Sequence, residues 1–342
     1  MLELATIQYW QILFYKAVVY FTKAILVLFQ RDSFLYWPFV LSTLLIGVLA
    51  WRFGYAQQRA DGTPVWREFF QRYLGRALWW HPSARLDYRF YLINAVLFPI
   101  LLGPLLFGEN AIAKWLDGLT GLMPVATGDV SASITTKVAY TLLFFIAYDF
   151  GRFVAHCLLH DIPVLWEFHK VHHSAEVLTP MTSFRAHPID LAVMAWGSAL
   201  TTGIMAWLFY RFVDNNVGVY MFLGLHVLFW VGNLVGNLRH WQVWLSYGDK
   251  LNYWLISPAH HQLHHSAEPQ HRGCNRGFEI AVWDRLYGTL HVPSNQPETF
   301  RMGLGDGSDG QWRSVGRLYL WPFKLAFKRL FGSKKTPSSQ TD

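Results

Sequence analysis

Long apolar runs separated by polar segments dominate the pattern of this 342-residue chain. The runs cover residues 5–29, 36–51, 90–108, 136–160, 190–212 and 217–237. Most approach the roughly 20 residues that an α-helix needs to cross a bilayer. The pattern therefore predicts an all-α integral membrane bundle of about four to six spans. Lys16 and Lys23 interrupt the first run, so it either spans or lies partly in the membrane interface.

The polar segments predict how the runs are arranged. Residues 52–89 are rich in arginine, which by the positive-inside rule marks the cytosolic face. Residues 109–135 contain Gly, Ser and Thr, one Lys and no Arg, and predict a loop. A helical hairpin is expected from 190–212 and 217–237, with its turn at 214–216. Counting spans from the arginine-rich segment places the later histidine blocks on the cytosolic face, as a helical cap.

Three regions follow from this layout: an N-terminal transmembrane region (1–135), a histidine-rich domain (136–293) and a C-terminal segment (294–342). Within the last, residues 313–335 mix large apolar residues with Arg and Lys. They predict an amphipathic interfacial helix, kinked or begun at Pro322, or else an ordinary helix packed on the cap. The final residues, TPSSQTD, predict a disordered tail.

The composition agrees with a membrane protein. Hydrophobic residues make up 53% of the chain and charged residues 15%, against about 25% charged in soluble domains. The net charge of +7 comes from basic residues flanking apolar runs, which fits an anionic membrane face. No nucleic-acid motif is present. Two cysteines make a disulfide framework unexpected and fit a reducing cytosolic face. The N-terminus shows no clear cleavable signal peptide.

Histidines are concentrated in three blocks of the second half, HCLLH, HKVHH and HQLHH. Residues three and four apart share one helix face, so each block can direct several imidazoles to one point. Eight imidazoles exceed the four ligands of a structural zinc site, so two metal ions are expected. Imidazole suits Zn, Cu, Fe and Ni, which leaves the metal open at this point. The block residues are His156, His160, His169, His172, His173, His261, His264 and His265.

Two further histidines, His187 in RAHPID and His240 in NLRHW, lie near membrane ends on the same side. Either could complete the coordination of a metal ion. Either could equally be a polar residue at a helix terminus. The sequence does not decide between these interpretations, and both residues remain candidate ligands.

Two carboxylates near the first block are candidate functional residues. Asp149 lies two helical turns before His156, where it either orients a ligand histidine through the other ring nitrogen or pairs with Arg152. Asp161 directly follows the block. It is either a carboxylate near the metals, or one that delivers protons, or simply a charge at a helix end.

These blocks resemble the fatty acid hydroxylase and sterol desaturase superfamily of membrane di-iron enzymes, which shows H-x3-H, H-x2-HH and H-x2-HH in this order. RAHPID resembles its HPxE segment with Asp190 in place of Glu, and Asp149 stands where the family often has an Asp. Asn275 and the run VWDRLYGT (282–289) resemble its closing motif. The resemblance covers roughly residues 136–293. ISPAHHQLHHS and the acid after the first block look most like the alkylglycerol-monooxygenase-like and bacterial sterol-desaturase-like branch.

The resemblance implies two irons and a dioxygen-dependent oxidation of a lipid C–H bond, on an acyl, alkyl or sterol carbon. Hydroxylation would give an alcohol, and desaturation on the same scaffold would give an alkene. No haem or flavin motif is present, so two electrons are expected from a separate donor, an electron-transfer protein or a reduced pterin. A hydrophobic tunnel between spans and cap is expected for the membrane lipid. The membrane would be the inner membrane in bacteria or the endoplasmic reticulum in eukaryotes.

Two other classes of protein compete with this interpretation. A metal transporter would place its ligands near the bilayer midplane, whereas these blocks lie at the ends of spans and beyond. A zinc-dependent membrane hydrolase would be expected to carry HExxH, which is absent, and no block contains the glutamate that would act as base. Both are remote alternatives to the oxidase.

Overall fold

The computed structural model describes residues 2–55, 66–121, 132–215 and 217–331. These ranges are mostly helical, and the predicted all-α class is confirmed. The tail TPSSQTD lies outside the described residues. The α-helices are α1 (Leu2–Ile25), α2 (Trp37–Ala50), α3 (Trp66–Tyr73), α4 (Arg76–Trp79), α5 (Pro82–Leu101), α6 (Glu109–Thr120), α7 (Ile134–Asp161), α8 (Pro163–His173), α9 (Pro188–Phe212), α10 (Val227–Gly236), α11 (Gly248–Leu251), α12 (Pro258–His264), α13 (Val282–Tyr287) and α14 (Val315–Phe331).

Three helical segments of the described chain are long and apolar enough to cross a membrane: Trp37–Gly54, Ile134–Asp161 and Pro188–Phe212. A fourth span results if Pro82–Leu101 and Gly103–Thr120, bent by 47°, count as one. Only 22–39% of the residues in the three spans are buried inside the protein. Their remaining apolar surface requires lipid, because water would be unfavourable there. The predicted integral membrane bundle is confirmed, but the described residues provide three to four spans rather than the four to six expected.

Two segments differ from the sequence prediction. The segment 109–135 was expected to be a loop, but its first part forms α6, which ends at Gly121 in the left-handed region at φ 60°. Residues 122–131 lie outside the described residues. Helix α6 packs along α9, where a Cβ on Gly203 would clash with Ile112. The helix was missed because the turn-forming Gly, Ser and Thr residues in the second half of the segment 109–135 outweighed its amphipathic first half.

The second arm of the predicted helical hairpin is the other difference. Residues after 217 form a two-stranded antiparallel hairpin, β1 (Met221–Phe222) and β2 (Leu225–His226), before α10 begins. Leu223 and Gly224 form its turn with positive φ angles of 49° and 79°. Helix α10 has only ten residues, or about 15 Å, which is too short to span a bilayer. The histidine at its start, His226, accepts a hydrogen bond from Leu228 N and fixes where the helix begins.

Helix α7, which carries the first histidine block, packs closely against α9. A Cβ on Gly151 of α7 would clash with the carbonyl of Gly197 on α9, so these two helices touch through their backbones. Thr201 Oγ1 adds a 2.6 Å hydrogen bond to the carbonyl of Ala147. Small residues and hydroxyl groups of this kind drive helix association in membranes. The packing fixes the end of α7 from which His156 projects.

The cap is built on two apolar clusters. In the first, Phe69 and Tyr73 of the arginine-rich segment pack with Trp241 and with Leu263 of α12. In the second, α14 lies along α8 and buries Leu318, Pro322 and Ala326. Pro322 lies inside this helix rather than at its start. The opposite face of α14 exposes large apolar residues, as an interfacial helix would: Leu320, Phe323, Phe327, Leu330 and Phe331.

Candidate metal centre

Nine histidine side chains converge in two adjacent groups at the cap end of α7. Within each group, one ring nitrogen of every histidine lies within 4.8 Å of the others. The groups adjoin, since the rings of His173 and His265, one from each, stack with centroids 4.7 Å apart. Group 1 consists of His156, His160, His169, His173 and His264, and group 2 of His172, His240, His261 and His265.

The helices divide the blocks between the groups. Histidines four apart, such as His169 and His173 of α8, join the same group, whereas His172 joins the other. One residue of α-helix turns about 100°, so His172 and His173 point in different directions. We expected each block to serve one point, and the structure instead gives both H-x2-HH blocks to both groups. Two helices, α8 and α12, thereby connect the two groups.

The third block is set by a tight helix start. Ser257 precedes α12, and its backbone N–H and its hydroxyl both contact Nδ1 of His260. From there His261 and His265 reach group 2, and His264 reaches group 1. Gln262 turns away and donates to three backbone carbonyls, those of Leu238, Trp241 and Val243. These bonds hold α12 against the 3-10 helix Asn237–His240, which supplies His240.

The spacing of the ring nitrogens fits coordination of a cation. His156 Nε2 lies 3.0 Å from His169 Nε2 and 3.2 Å from His160 Nε2. In group 2, His261 Nε2 lies 3.0 Å from His240 Nε2. Two nitrogens bound to one ion at about 2.0–2.1 Å, at a right angle, would lie about 3 Å apart.

Hydrogen bonding at the opposite ring nitrogen supports the same conclusion. Nδ1 of His156 lies 2.7 Å from the carbonyl of Arg276, so this nitrogen must carry the proton. Nδ1 of His169 faces the Asp190 carboxylate at 2.8 Å and donates likewise. Both Nε2 atoms are then bare acceptors and cannot bond each other. Two lone pairs at this distance require a cation between them, so the residues present fit a metal.

Three more histidines of the two groups are oriented in the same way, by hydrogen-bond partners that lie outside the groups. Nδ1 of His264 donates to the carbonyl of Cys274 at 2.6 Å, and Nδ1 of His172 lies 3.2 Å from that of Arg185. Nδ1 of His240 lies 2.9 Å from the hydroxyl of Ser183. Such partners fix the tautomer and the ring orientation of metal-binding histidines.

Burial and mutual repulsion keep these imidazoles neutral. Burial lowers the pKa of His172 to about 4 and that of His264 to about 3, and neighbouring histidines add to both shifts. The pKa values of His173, His261 and His265 are held well below the usual range by the same causes. Neutral imidazole is the form that binds metals. Nε2 of His264 is also buried without a hydrogen-bond partner among the described residues, which is expected of an atom that binds a metal ion.

The two isolated candidate histidines have different positions. His240 joins group 2, whereas His187 lies outside both groups. Nδ1 of His187 accepts from Ile189 N at the start of α9, and Nε2 lies 3.2 Å from the carbonyl of Tyr319. Both ring nitrogens are therefore engaged within the protein. His187 acts here as a helix cap, the alternative that its sequence position left open.

The main contacts of Asp149 are ones that neither sequence interpretation named, although Arg152 attracts its carboxylate electrostatically. Its carboxylate is buried and accepts from the backbone N–H groups of Glu279 and Ile280, at 2.9 and 3.1 Å, and from Trp283 Nε1 at 3.0 Å. It contacts no histidine nitrogen, and no ion pair joins it to Arg152 within the described residues. Asp149 instead connects the segment Glu279–Trp283 to α7.

Asp161 reaches the histidines through one intermediate residue. Its carboxylate lies 2.7 Å from Nη1 of Arg276, and it also accepts from the Tyr287 hydroxyl at 2.8 Å. The carbonyl of Arg276 in turn bonds His156. The side chain of Asp161 is 42% exposed, so the carboxylate lies between solvent and the support of a group 1 histidine.

The VWDRLYGT run has a structural role in the same region. Asp284 is buried and accepts from the backbone N–H groups of Arg276 and Gly277, both at 2.7 Å, and from Thr289 Oγ1 at 2.6 Å. Asn275, with φ of 53°, donates to the carbonyls of His260 and His291. The run thus fixes the backbone whose carbonyls hold His156 and His264.

Sequence reasoning missed most of these supporting groups. Arg276, Cys274 and Arg185 act through backbone carbonyls, which every residue type possesses, so no residue signal could have found them. Ser183 lies just before RAHPID and gave no signal of its own. Only Asp190, noted as the acidic residue of the HPxE-like segment, carried a recognisable pattern.

A cavity of about 620 Å³ adjoins both groups and runs between α7, α9 and α10. Members of both groups lie on its wall: His156, His169, His172, His240 and His261. Away from the histidines the wall is mainly apolar, with Phe144, Phe145, Met194, Leu228 and Phe229. The predicted hydrophobic tunnel between spans and cap corresponds to this cavity.

The fold and the site together define an integral membrane protein with a histidine-rich candidate metal centre beside an apolar cavity. Residues 141–289 match the fatty acid hydroxylase family. The match covers less than half of the chain, and together with the curated relatives it confirms the resemblance to the superfamily that the histidine blocks predicted. No solved structure shows significant similarity to the chain.

Three curated relatives illustrate the range of the similarity. An ornithine lipid hydroxylase from Rhizobium tropici is 29% identical over 46% of this chain and 44% of its own length. An alkylglycerol monooxygenase from Xenopus tropicalis is 26% identical over 45% of this chain and 31% of its own length. A Delta(7)-sterol 5(6)-desaturase from Gibberella zeae is 27% identical over 45% and 42%. The chain thus matches less than half of the length of each relative. These relatives include both branches that the sequence suggested.

Proposed function

We propose that the protein is a membrane-bound di-iron oxygenase that hydroxylates a C–H bond of a lipid, using dioxygen and two electrons from an external donor. The observation that carries this proposal is the pair of adjacent histidine groups on the wall of an apolar cavity. A structural zinc site needs four ligands and no cavity, whereas this centre offers nine imidazoles and space for a substrate. The chemistry is assigned to residues 136–293.

The ligand set is proposed from the two groups. Group 1 would hold one iron and group 2 the other, with His187 left out because its ring nitrogens are engaged elsewhere. When bound, two reduced irons supply the activation of dioxygen that oxidation of an unactivated C–H bond requires. Neutral imidazoles with fixed tautomers suit such ions, because they bind without first losing a proton.

The remaining residues serve this chemistry by position. Asp190, Arg276 and Cys274 hold ligand histidines at Nδ1, which keeps the Nε2 atoms aimed at the centre. The apolar wall of the cavity holds the lipid chain and keeps water out. Asp161 is proposed as a positioning residue that anchors Arg276, and its exposure also suits a role in proton delivery.

The orientation and the electron donor are proposed from charge. The arginine-rich segment packs through Phe69, Tyr73 and Leu78 on the cluster that contains Leu263 of the histidine helix α12. The positive-inside rule then puts the histidine centre on the cytosolic face. The donor would be an electron-transfer protein or a reduced pterin from the cytosol. The membrane would be the inner membrane of a bacterium or the endoplasmic reticulum of a eukaryote.

Desaturation is the second candidate, favoured by the similarity to a sterol desaturase. Hydroxylation and desaturation share the first hydrogen abstraction and differ in the product. Lipids from cells that express the protein under isotopically labelled dioxygen would distinguish them. Labelled oxygen in a new lipid alcohol supports the hydroxylase, and a new alkene without label supports the desaturase.

Metal analysis of the purified protein tests the common part of the proposal. The chain is purified in detergent from iron-replete cells, and its metals and oxygen sensitivity are measured. About two irons per chain, with a reduced state that reacts with dioxygen, is the expected result. Zinc without iron after anaerobic purification, with full activity in the absence of oxygen, would refute an oxygenase and favour a hydrolase.

A further inference from the structure

An arginine that forms no hydrogen bond or salt bridge with another described residue lines the cavity inside the membrane span. Arg152 lies on α7, one helical turn before His156, and its side chain forms part of the cavity wall. Its guanidinium makes no hydrogen bond or ion pair with another described residue. Its contacts are aromatic, with Cζ 3.7 Å from the ring centroid of Phe278 and 5.5 Å from that of Tyr148. A charge at such a place is costly and usually functional.

The nearby carboxylates are already engaged. Both oxygens of Asp149 accept hydrogen bonds from the segment Glu279–Trp283. The side chain of Glu279, which also lines the cavity, pairs with Nη2 of Arg239 at 2.6 Å. Arg152 therefore forms no salt bridge of its own among the described residues, and the nearby Asp149 carboxylate, which attracts it electrostatically, has its hydrogen-bonding oxygens occupied by other donors.

The position of Arg152 relates this cation to the metal centre. The ring of Phe278 that lies under the guanidinium also contacts the ring of His156, with centroids 5.3 Å apart. Along α7, Arg152 and His156 are separated by about 6 Å of helix rise. In the other direction, the apolar wall extends to Phe144, about 12 Å of helix rise from Arg152.

We propose that Arg152 binds the anionic oxygen group, a phosphate or a carboxylate, of an acyl or alkyl lipid whose chain occupies the apolar part of the cavity. Guanidinium donates in a planar fork that matches both of these groups. The rings of Phe278 and Tyr148 contact the guanidinium as cation–π partners, and neither is hydrogen-bonded to it. The substrate class rests on the proposed function, and it places the oxidised carbon within a few bonds of the anionic group.

Binding of simple amphiphiles tests the proposal without turnover. The metal-loaded protein in nanodiscs is titrated with dodecyl phosphate, dodecanoate and dodecanol, which share one chain. Wild type should bind the two anions on the order of tenfold more tightly than the alcohol, equivalent to about 1.4 kcal/mol. Arg152→Gln should bind all three at the level of dodecanol, and Arg152→Lys should keep part of the preference.

Arg211→Gln is the matched control. Arg211 also lies on a spanning helix with its guanidinium over a phenyl ring, 5.9 Å from the centroid of Phe212, but it does not line the cavity. This variant should keep the wild-type preference for anions. Iron content and monodispersity of each variant show whether it has folded. If Arg152→Gln fails to fold, the series in wild type and in Arg152→Lys still decides the question.

Three results would overturn the proposal. Wild type could bind the alcohol as tightly as the anions. Arg152→Gln could weaken the alcohol and the anions equally, which would make the arginine a packing residue. Millimolar inorganic phosphate could displace dodecyl phosphate completely, which would indicate a phosphate site rather than a lipid site. Because binding needs no turnover, a lasting anion preference without any oxygenated product would contradict the proposed function alone.

Discussion

The carboxylate of Asp190 lies 2.8 Å from Nδ1 of His169, and both side chains are buried. Asp190 belongs to the first turn of α9, which spans the membrane, and His169 belongs to group 1. One hydrogen bond therefore connects the end of a membrane span to the candidate metal centre. The imidazole is held with its proton on Nδ1 and its lone pair on Nε2.

Replacing this carboxylate should weaken metal binding. We expect Asp190→Asn to lose roughly 10–100-fold in metal affinity, because an amide neither fixes the tautomer nor raises the basicity of His169 as a carboxylate does. Competition with a chelator, followed by metal analysis, measures the change. Glu176→Gln, which alters an exposed ion pair with Arg313, is the control and should retain its metal. Equal metal retention in both variants would show that Asp190 does not support metal binding through His169.

Single histidine substitutions should separate the two groups. His264→Ala removes a ligand of group 1 and His172→Ala removes a ligand of group 2. Each variant should keep at most about one iron per chain and lose oxidation of lipid, since the reaction needs both ions. His187→Ala, a buried histidine outside both groups, should keep its iron. Full iron content in both ligand variants would contradict the assignment.

The stability of the protein should depend on pH through His187. Burial lowers its pKa to about 4, and in the neutral form Nδ1 caps α9 while Nε2 donates to the Tyr319 carbonyl. The unfolded residue titrates near 6.5, so this stabilisation is complete above that pH and is lost as the pH falls towards 4. The unfolding midpoint of wild type should therefore fall more steeply below about pH 6.5 than that of His187→Asn.

Asparagine is chosen because it can cap a helix but does not titrate. His187→Ala should lower stability by about 1 kcal/mol even at neutral pH, because the cap is lost. Parallel pH curves for wild type and His187→Asn would show that another histidine causes the acid sensitivity.

Filling the cavity should block the substrate without disturbing the metal. Ala195 lies on α9 and lines the cavity, so Ala195→Phe places a ring where the lipid chain is proposed to lie. We expect product formation to fall on the order of tenfold or more, the scale of a few kcal/mol of lost binding, with iron unchanged. Leu200→Phe, on the exposed surface of the same helix, is the control. Equal activity of the two variants would mean that the substrate binds elsewhere.

Replacing Asp149 should lower the stability of the fold rather than change the catalytic chemistry. Asp149→Ala leaves two backbone N–H groups and the Trp283 indole without their acceptor, at about 1–3 kcal/mol for each donor that stays unsatisfied. We expect a lower thermal midpoint, with the pH dependence of the remaining activity unchanged. Thermal unfolding and a pH profile of product formation measure the two effects. A shifted pH profile at wild-type stability would instead support a catalytic role.

The class of protein was readable from the chain because both of its signals are local. Apolar runs near 20 residues predict spans wherever they occur, and histidines at helical spacing predict convergent imidazoles. The sequence predictions of secondary structure were wrong where the local pattern of apolar residues did not reveal a turn. The run 217–237 was apolar enough for a span, yet the turn at Leu223 and Gly224 shortened it to a hairpin and a ten-residue helix.

The sequence by itself determined which histidines could act together, because the rise and twist of an α-helix bring residues three and four apart to one side. The tertiary structure decided how they divide. His172 and His173 are neighbours that serve different groups, and His240 joins the centre while His187 caps a helix. These outcomes depend on how α7, α8, α12 and the 3-10 helix Asn237–His240 cross, and the crossings are fixed by contacts between residues far apart in the chain.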